Sequence, residues 1–203
     1  MNRNVIVNFR TLVLCLMIGF FSGCVEETEK KVPISEETVH LDNGNSKKES
    51  PSIACKPVSG EITVKLAGIA VDLKENESAY QGDLLILHGW NENRNNWCSH
   101  SRLCIKARNK GFRVIMPEMG KSVYAKGIYP ETRSDWKAYP SAQFLIDTLI
   151  PALQQEYCLL QNDGYNMVVG VSAGARGVIR LVQNLPNLFV GAVALSGDYD
   201  PSK

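Results

Sequence analysis

After residue 60 the chain alternates unbroken apolar runs with segments of helical periodicity. Four of the apolar runs have the length of a strand: DLLILHG (83–89), FRVIMPE (112–118), NMVVGV (166–171) and GAVALSG (191–197). Strands that are apolar at every position are typical of a parallel sheet covered on both faces, since a solvated face would require alternation. With helices between the strands, the pattern predicts an α/β fold with a doubly wound, mostly parallel sheet. Functional groups of such sheets gather at the carboxyl ends of the strands.

A hairpin and three helices complete the predicted order. The stretch EITVKLAGIAVDL indicates two β-strands joined at Ala67-Gly68. Three segments have the spacing of helices: SHSRLCIKARNKG (99–111), SAQFLIDTLIPALQQEYC (141–158) and AGARGVIRLVQN (173–184). Pro151 lies inside the second of them, where a proline interrupts or kinks a helix because it has no N–H to donate.

The first 24 residues differ from the rest of the chain. MNRNVIVNFR carries two arginines and no acidic residue, LVLCLMIGFF is apolar throughout, and the small residues SG precede Cys24. This order predicts a secretory signal, and the apolar run is too short to cross a hydrocarbon core of ~30 Å. The end of the segment resembles the lipobox of bacterial lipoproteins. The resemblance implies that Cys24 becomes the first residue of the mature protein and carries lipid.

Such a lipid would attach the protein to a membrane. Each buried CH₂ group contributes about 0.8 kcal/mol, so several acyl chains such as palmitate hold a protein firmly. Val25, rather than Asp, follows Cys24. By resemblance to Gram-negative sorting signals, this implies a lipid-anchored protein of the bacterial cell envelope, at the outer membrane and facing the periplasm. A plain cleaved signal and an uncleaved anchor are the alternatives.

Composition divides the remainder into a tether and one domain. Residues 25–54 are rich in Glu, Lys, Ser and Asn and have no aromatic residue, which predicts a flexible tether. Residues 55–203 are sufficient for one globular domain. The whole chain carries 22 basic and 21 acidic residues, so a nucleic-acid partner has no electrostatic support. We also expect no cofactor, because the chain has no phosphate-binding glycine loop.

Of the six cysteines, Cys15 would leave with the signal and Cys24 would carry lipid. Four remain: Cys55, Cys98, Cys104 and Cys158. In an exported protein these can pair, and the sequence does not choose among the three connectivities. Cys98 and Cys104, six residues apart, form the simplest pair. Free buried thiols are the alternative, whereas a metal site is not expected because no C-x-x-C pair or histidine cluster accompanies the cysteines.

The stretch VVGVSAGARG contains the chemistry of greatest interest. Residues 170–174 read G-x-S-x-G, with an apolar strand before the motif and a helix after it. On such a strained strand-to-helix turn, Ser172 would be a nucleophile. The glycines would let the helix pack close to a neighbouring strand. A structural serine on a tight turn is the alternative interpretation.

An oxyanion next to Ser172 would require two backbone donors. The helix that begins after the serine directs N–H groups and partial positive charge at its N-terminus, which makes Ala173 the first donor. A loop after an earlier strand should supply the second donor, and LILHGW has the right position. We assign the second donor to Trp90, with Asn91 as the neighbouring possibility.

These residues together resemble the α/β-hydrolase fold. HGW, VIMPEMGKSVYA, GVSAGARG and AVALSGDYD are similar to the esterase branch that contains esterase D and the mycolyltransferases. The resemblance covers roughly residues 60–200 and implies a carboxylic-ester hydrolase acting on a small ester. It also places Lys121, Ser122 and Tyr124 in a loop on the substrate side, with an ordinary solvated loop as the alternative for each.

The resemblance also implies a catalytic acid and histidine after the serine, in that order. No histidine follows residue 100, so the sheet is expected to be incomplete at its C-terminal side. Asp198 is the candidate acid, with a turn-forming role as the alternative. His88 and His100 are weak candidates for the base. Without a base a serine hydroxyl is a poor nucleophile.

Two functions of different kinds therefore remain open. The first is an exported, membrane-tethered serine hydrolase, with acyl transfer as a chemically adjacent variant. The second is a non-catalytic lipoprotein that acts as a binding or interaction module. A sheet that ends at the run 191–197 would expose an apolar edge, so association with another chain through that edge is expected.

Overall fold

The structure, a computed structural model, describes residues 54–75, 79–128, 130–131 and 133–197. The predicted signal, the tether, Cys24 and Asp198 lie outside these residues, and the domain boundaries at 24 and 54 stay predictions. Within the described part of the chain, no helix has the length and apolar character needed to cross a membrane.

The described domain is built on one six-stranded sheet, which confirms the predicted α/β class. Its strands are β1 (Glu61–Leu66), β2 (Ile69–Lys74), β3 (Gly82–Leu87), β4 (Phe112–Pro117), β5 (Asn166–Val171) and β6 (Gly191–Leu195). Their order across the sheet is β1-β2-β4-β3-β5-β6. The four continuous apolar strands are all parallel to their neighbours within this group.

The predicted hairpin is confirmed and forms one border of the sheet. Strands β1 and β2 pair antiparallel around Ala67 and Gly68, whose φ angles are 51° and 86°. Two consecutive residues with positive φ are typical of the tight turns that match the twist of a hairpin. Strand β2 pairs antiparallel with β4, which joins the hairpin to the parallel strands.

The helices follow the predicted segments with two corrections. They are α1 (Asn96–His100), α2 (Leu103–Asn109), α3 (Ser134–Lys137), α4 (Ala142–Phe144), α5 (Ile150–Tyr157) and α6 (Ala173–Asn184). The single helix predicted over 99–111 is wrong, because α1 begins earlier and ends before Ser101. The Ser101 hydroxyl donates to the Trp97 carbonyl and accepts the Leu103 N–H, and this ends one helix and starts the next.

The second correction lies in the segment 141–158. A π-helical turn, Leu145–Leu149, joins α4 to α5 just before Pro151. In this wider turn the Ile150 N–H donates to the Leu145 carbonyl, five residues back. The predicted interruption near Pro151 therefore takes the form of a local widening of the helix by one π-helical turn.

Both faces of β3, β4 and β5 are covered, which explains why their sequences do not alternate. Leu85 and Leu87 of β3 face a large core under α5 and α6, whereas Leu84 and Ile86 face a smaller core under α2. Strand β6 is the last strand in the sheet order, and Val193 and Leu195 on it are 42% and 43% exposed. Association through this edge stays a prediction.

Candidate active site

Ser172 occupies a strained turn at the carboxyl end of β5. Its φ and ψ are 52° and −119°, and its side chain is exposed. A non-glycine residue in such a conformation costs on the order of 1–3 kcal/mol and persists only where its surroundings hold it. Two hydrogen bonds do so here: the Ser172 N–H donates to the Leu195 carbonyl at 2.9 Å, and its carbonyl accepts the Ala175 N–H at 3.1 Å.

The two glycines of the motif allow α6 to lie against the sheet. A Cβ atom on Gly170 would be 2.3 Å from the Gly174 carbonyl oxygen. A Cβ atom on Gly174 would be 2.3 Å from the Leu87 carbonyl oxygen and 2.7 Å from that of His88. Real Cβ atoms do not approach backbone oxygens so closely, which agrees with the reason that the sequence suggested for these glycines.

The loop after β3 lies beside this turn. Strands β3 and β5 are parallel neighbours, with Leu87 opposite Gly170. The chain that continues from each strand therefore leaves the same edge of the sheet. The short approach of Gly174 to His88 places the two segments in direct contact.

Hydrogen bonds distinguish the two possible oxyanion donors in that loop. The Asn91 N–H donates to the Gly120 carbonyl at 3.1 Å and is not available to a substrate. Among the described residues, the Trp90 N–H has no acceptor, and the Trp90 side chain is 49% exposed. Of the two candidates, only the Trp90 N–H is therefore left unused among the described residues.

Ala173 begins the 12-residue helix α6, so its N–H is one of the orphan donors of a helix N-terminus. Within the described chain this N–H has no acceptor either. The partial positive charge of the helix end favours a negative charge beside Ser172. Ser172, Ala173 and Trp90 therefore meet at one sheet edge with a hydroxyl and two unused backbone donors.

His88 is a structural residue and not a base. Its side chain is fully buried, its Nε2 accepts the Met119 N–H at 2.8 Å, and its Nδ1 lies 2.7 Å from the Gly89 carbonyl. An Nε2 atom that accepts requires the proton to be on Nδ1, which then donates to Gly89. Both ring nitrogens are occupied. The second described histidine, His100, is exposed on α1, and its Nδ1 lies 3.1 Å from the Asn96 carbonyl.

Ser122 and Tyr124, which the resemblance places in a loop on the substrate side, are both buried. The Ser122 hydroxyl donates to the Pro140 carbonyl and accepts the Tyr124 N–H. The Tyr124 hydroxyl donates to the His88 carbonyl at 3.0 Å. Burial raises the pKa of the Tyr124 phenol well above its usual range, and the negative charges of Glu118 and Glu92 add to this effect. The phenol therefore stays protonated and donates a hydrogen bond to the start of the loop after β3.

A charged cluster next to the loop was not predicted from the sequence. Arg94 pairs with Asp72 and with Glu118, each at 3.0 Å, and Thr63 donates to Asp72 at 2.6 Å. The cluster connects the β1-β2 hairpin to the loop after β3. Its members are single polar residues in different elements, so no local pattern could have revealed it.

The four cysteines of the domain are paired in the structure. Cys98 is joined to Cys104, and Cys55 to Cys158. The first bond crosses the break between α1 and α2, and the second ties the start of the described domain to the end of α5. In the described part of the chain, no group of three or more His, Cys, Asp or Glu side chains could hold a metal ion.

Comparison with known structures supports the fold. The serine hydrolase FphF of Staphylococcus aureus, described as fluorophosphonate-binding and substrate bound, is 18% identical with a TM-score of 0.54. The S-formylglutathione hydrolase FrmB of Staphylococcus aureus is 19% identical with a TM-score of 0.53. The matches cover 71% and 68% of this chain, and 60% and 57% of those proteins. The chain thus spans less than two thirds of the length of either.

Family membership comes from the sequence. No curated protein matches the chain significantly. The family model described as "Putative esterase" matches residues 71–203, a range that begins in β2 and includes the loop after β3, Ser172 and α6. Because this match covers well over half of the chain, the protein belongs to that esterase family, on an α/β-hydrolase fold.

Proposed function

We propose that this protein is a carboxylic-ester hydrolase that uses Ser172 as its nucleophile. The observation that carries the proposal is the strained, exposed conformation of Ser172 between β5 and α6. Strain of 1–3 kcal/mol at an exposed residue has no use in packing, whereas it presents a hydroxyl at the sheet edge where function gathers. Family membership supports ester chemistry, and the substrate is accordingly a small ester.

The exposed Ser172 hydroxyl and the unused N–H groups of Ala173 and Trp90 support the following steps, for which no described histidine is placed to accept the Ser172 proton. The Ser172 oxygen attacks the carbonyl carbon of the ester while its proton passes to a base. The carbonyl oxygen becomes an oxyanion, which accepts hydrogen bonds from Ala173 and Trp90. Collapse expels the alcohol, which regains a proton, and leaves an acyl group on Ser172. Attack by water then releases the carboxylic acid. Each oxyanion donor is typically worth 10²–10³-fold in rate.

A fluorophosphonate tests whether Ser172 is activated. The serine oxygen displaces fluoride from phosphorus, and the serine proton is lost to the solvent. We expect the full chain to be labelled, the Ser172→Ala variant to remain unlabelled, and Ser99→Ala, which changes an exposed serine of α1, to behave as the native protein. In-gel fluorescence and the mass of the Ser172 peptide measure the result. Equal labelling of the native and Ser172→Ala chains would contradict the proposal.

A second candidate function is a non-catalytic binding module. The observation that favours it is the state of the described histidines, because His88 uses both ring nitrogens and His100 is exposed with one nitrogen bonded on its own helix. Among the described residues no histidine is placed to take the Ser172 proton. A native chain that the fluorophosphonate leaves unlabelled would support this candidate.

The site of action in the cell is a further part of the proposal. We infer from the N-terminal sequence that the protein is exported and held at the cell envelope by lipid on Cys24, at the outer membrane and facing the periplasm. Cells grown with an alkyne analogue of palmitate should incorporate it into the native chain but not into Cys24→Ser. Cys15→Ser is the matched control, since Cys15 lies within the apolar run of the signal, and it should keep the label. Labelled Cys24→Ser would contradict the anchor.

A further inference from the structure

In the turn 89–92, each backbone N–H except that of Trp90 donates a hydrogen bond. The Glu92 N–H donates to the Gly89 carbonyl at 3.2 Å, which closes a four-residue turn. Asn91 in this turn has a φ of 57° and donates to Gly120. The remaining neighbour, Gly89, donates its N–H to the Glu92 carboxylate at 3.0 Å. Trp90 alone keeps an unused amide.

The Glu92 side chain is closely fitted to this position. A Cβ atom on Gly89 would lie 3.0 Å from the carboxylate carbon of Glu92, so the carboxylate packs directly against the Gly89 backbone. Gly89 is buried, and its N–H would otherwise be an unpaired donor next to the site. Among the described ion pairs, Arg94 binds Asp72 and Glu118 and none involves Glu92. The Glu92 carboxylate therefore accepts a hydrogen bond within the loop and forms no ion pair with a described basic side chain.

We propose that Glu92 is a positioning residue for the oxyanion donor Trp90. The inference rests on the proposed function of Ser172 and deepens it. The Glu92 N–H donates to the Gly89 carbonyl, and the Glu92 carboxylate accepts the Gly89 N–H. These two bonds remove the Gly89 N–H as a competing donor and set the direction of the Trp90 N–H. What the turn requires is the acceptor oxygen, whereas the negative charge works against an oxyanion. Glutamine, which keeps the oxygen and loses the charge, should replace Glu92 without loss.

Phosphonylation kinetics test this directly, because the phosphoryl oxygen occupies the oxyanion position as the Ser172 oxygen attacks. We expect Glu92→Ala to lower the maximal rate of labelling about 10- to 100-fold, with the half-saturating inhibitor concentration unchanged. Glu92→Gln should stay within about threefold of the native rate. Glu92→Asp, whose shorter side chain withdraws the carboxylate from Gly89, should resemble Glu92→Ala and provides the same comparison if the alanine variant does not fold.

Amide exchange supplies a readout separate from reactivity. The Gly89 N–H should exchange faster in Glu92→Ala than in the native chain and at the native rate in Glu92→Gln, as followed by NMR. Maximal labelling rates that are equal in Glu92→Ala and Glu92→Gln would overturn the inference and leave the proposed function intact. An unlabelled native chain would overturn the proposed function and the role of Glu92 with it.

Discussion

Gly174→Ala should destabilise the protein by about 3 kcal/mol or more, at the upper end of overpacking effects. The added methyl group would be 2.3 Å and 2.7 Å from the carbonyl oxygens of Leu87 and His88. The Leu87 oxygen belongs to the end of β3 and the His88 oxygen to the next residue, so neither can move aside without displacing the strand end. Helix propensity acts in the opposite direction, because alanine is favoured over glycine inside a helix by about 1 kcal/mol. A loss of stability would therefore result from the close contact between the added methyl group and the carbonyl oxygens of Leu87 and His88.

Urea denaturation of the full chain measures this effect. Gly191→Ala is the matched control: its added methyl would contact only the flexible side chain of Met167, whose terminal methyl would be 3.2 Å away, so its stability should lie within about 0.5 kcal/mol of the native chain. The Gly174 variant should also lose fluorophosphonate labelling, since displacement of α6 moves Ala173. Equal denaturation midpoints for the two variants would show that α6 does not lie this close to β3.

The second large effect concerns an ion pair at the start of β3, at the opposite end of the parallel strands from Ser172. The Asp83 carboxylate is fully buried and receives two bonds from Arg113, at 2.7 Å and 3.0 Å, and one from the Leu160 N–H at 2.6 Å. Asp83→Ala leaves a largely buried guanidinium and a buried amide without this partner. We expect a loss of about 3–5 kcal/mol, the usual cost of removing one member of a buried pair.

Two comparisons separate this pair from an ordinary salt bridge. Asp135→Ala breaks the exposed pair with Arg133, whose side chains are 53% and 66% exposed, and should cost at most about 1 kcal/mol. The double variant Asp83→Ala/Arg113→Met removes both charges, so it should be less destabilised than the sum of the single variants. Thermal or urea denaturation gives the values. An Asp83→Ala variant as stable as Asp135→Ala would contradict the role of burial.

Much of the fold could be predicted from the pattern of apolar residues. The runs at 83–89, 112–118, 166–171 and 191–197 predicted four parallel strands, and the sheet contains them as β3 to β6. The reason is that burial on both faces acts on every residue of β3, β4 and β5, so that consecutive positions are apolar; β6 has the same apolar pattern although Val193 and Leu195 are partly exposed. The break in the helix 99–111 was not predicted, because the side chain of Ser101 ends α1 by a local hydrogen bond that periodicity does not report.

Some features of the candidate site could likewise be predicted from the sequence, and others could not. The sequence by itself determined the strand-turn-helix around Ser172, since this depends on residues adjacent along the chain, whereas the close contact that requires glycine at 174 is made with Leu87 and His88 of another segment. Only the tertiary structure decided that Trp90 rather than Asn91 keeps an unused N–H and that Tyr124 is buried beneath His88. Hydrogen bonds such as Asn91 to Gly120 or Tyr124 to His88 join residues about 30 positions apart, and each involves a single pair of atoms. A contact of that kind leaves no periodic trace in the sequence, so it becomes visible only when the strands have brought their ends together.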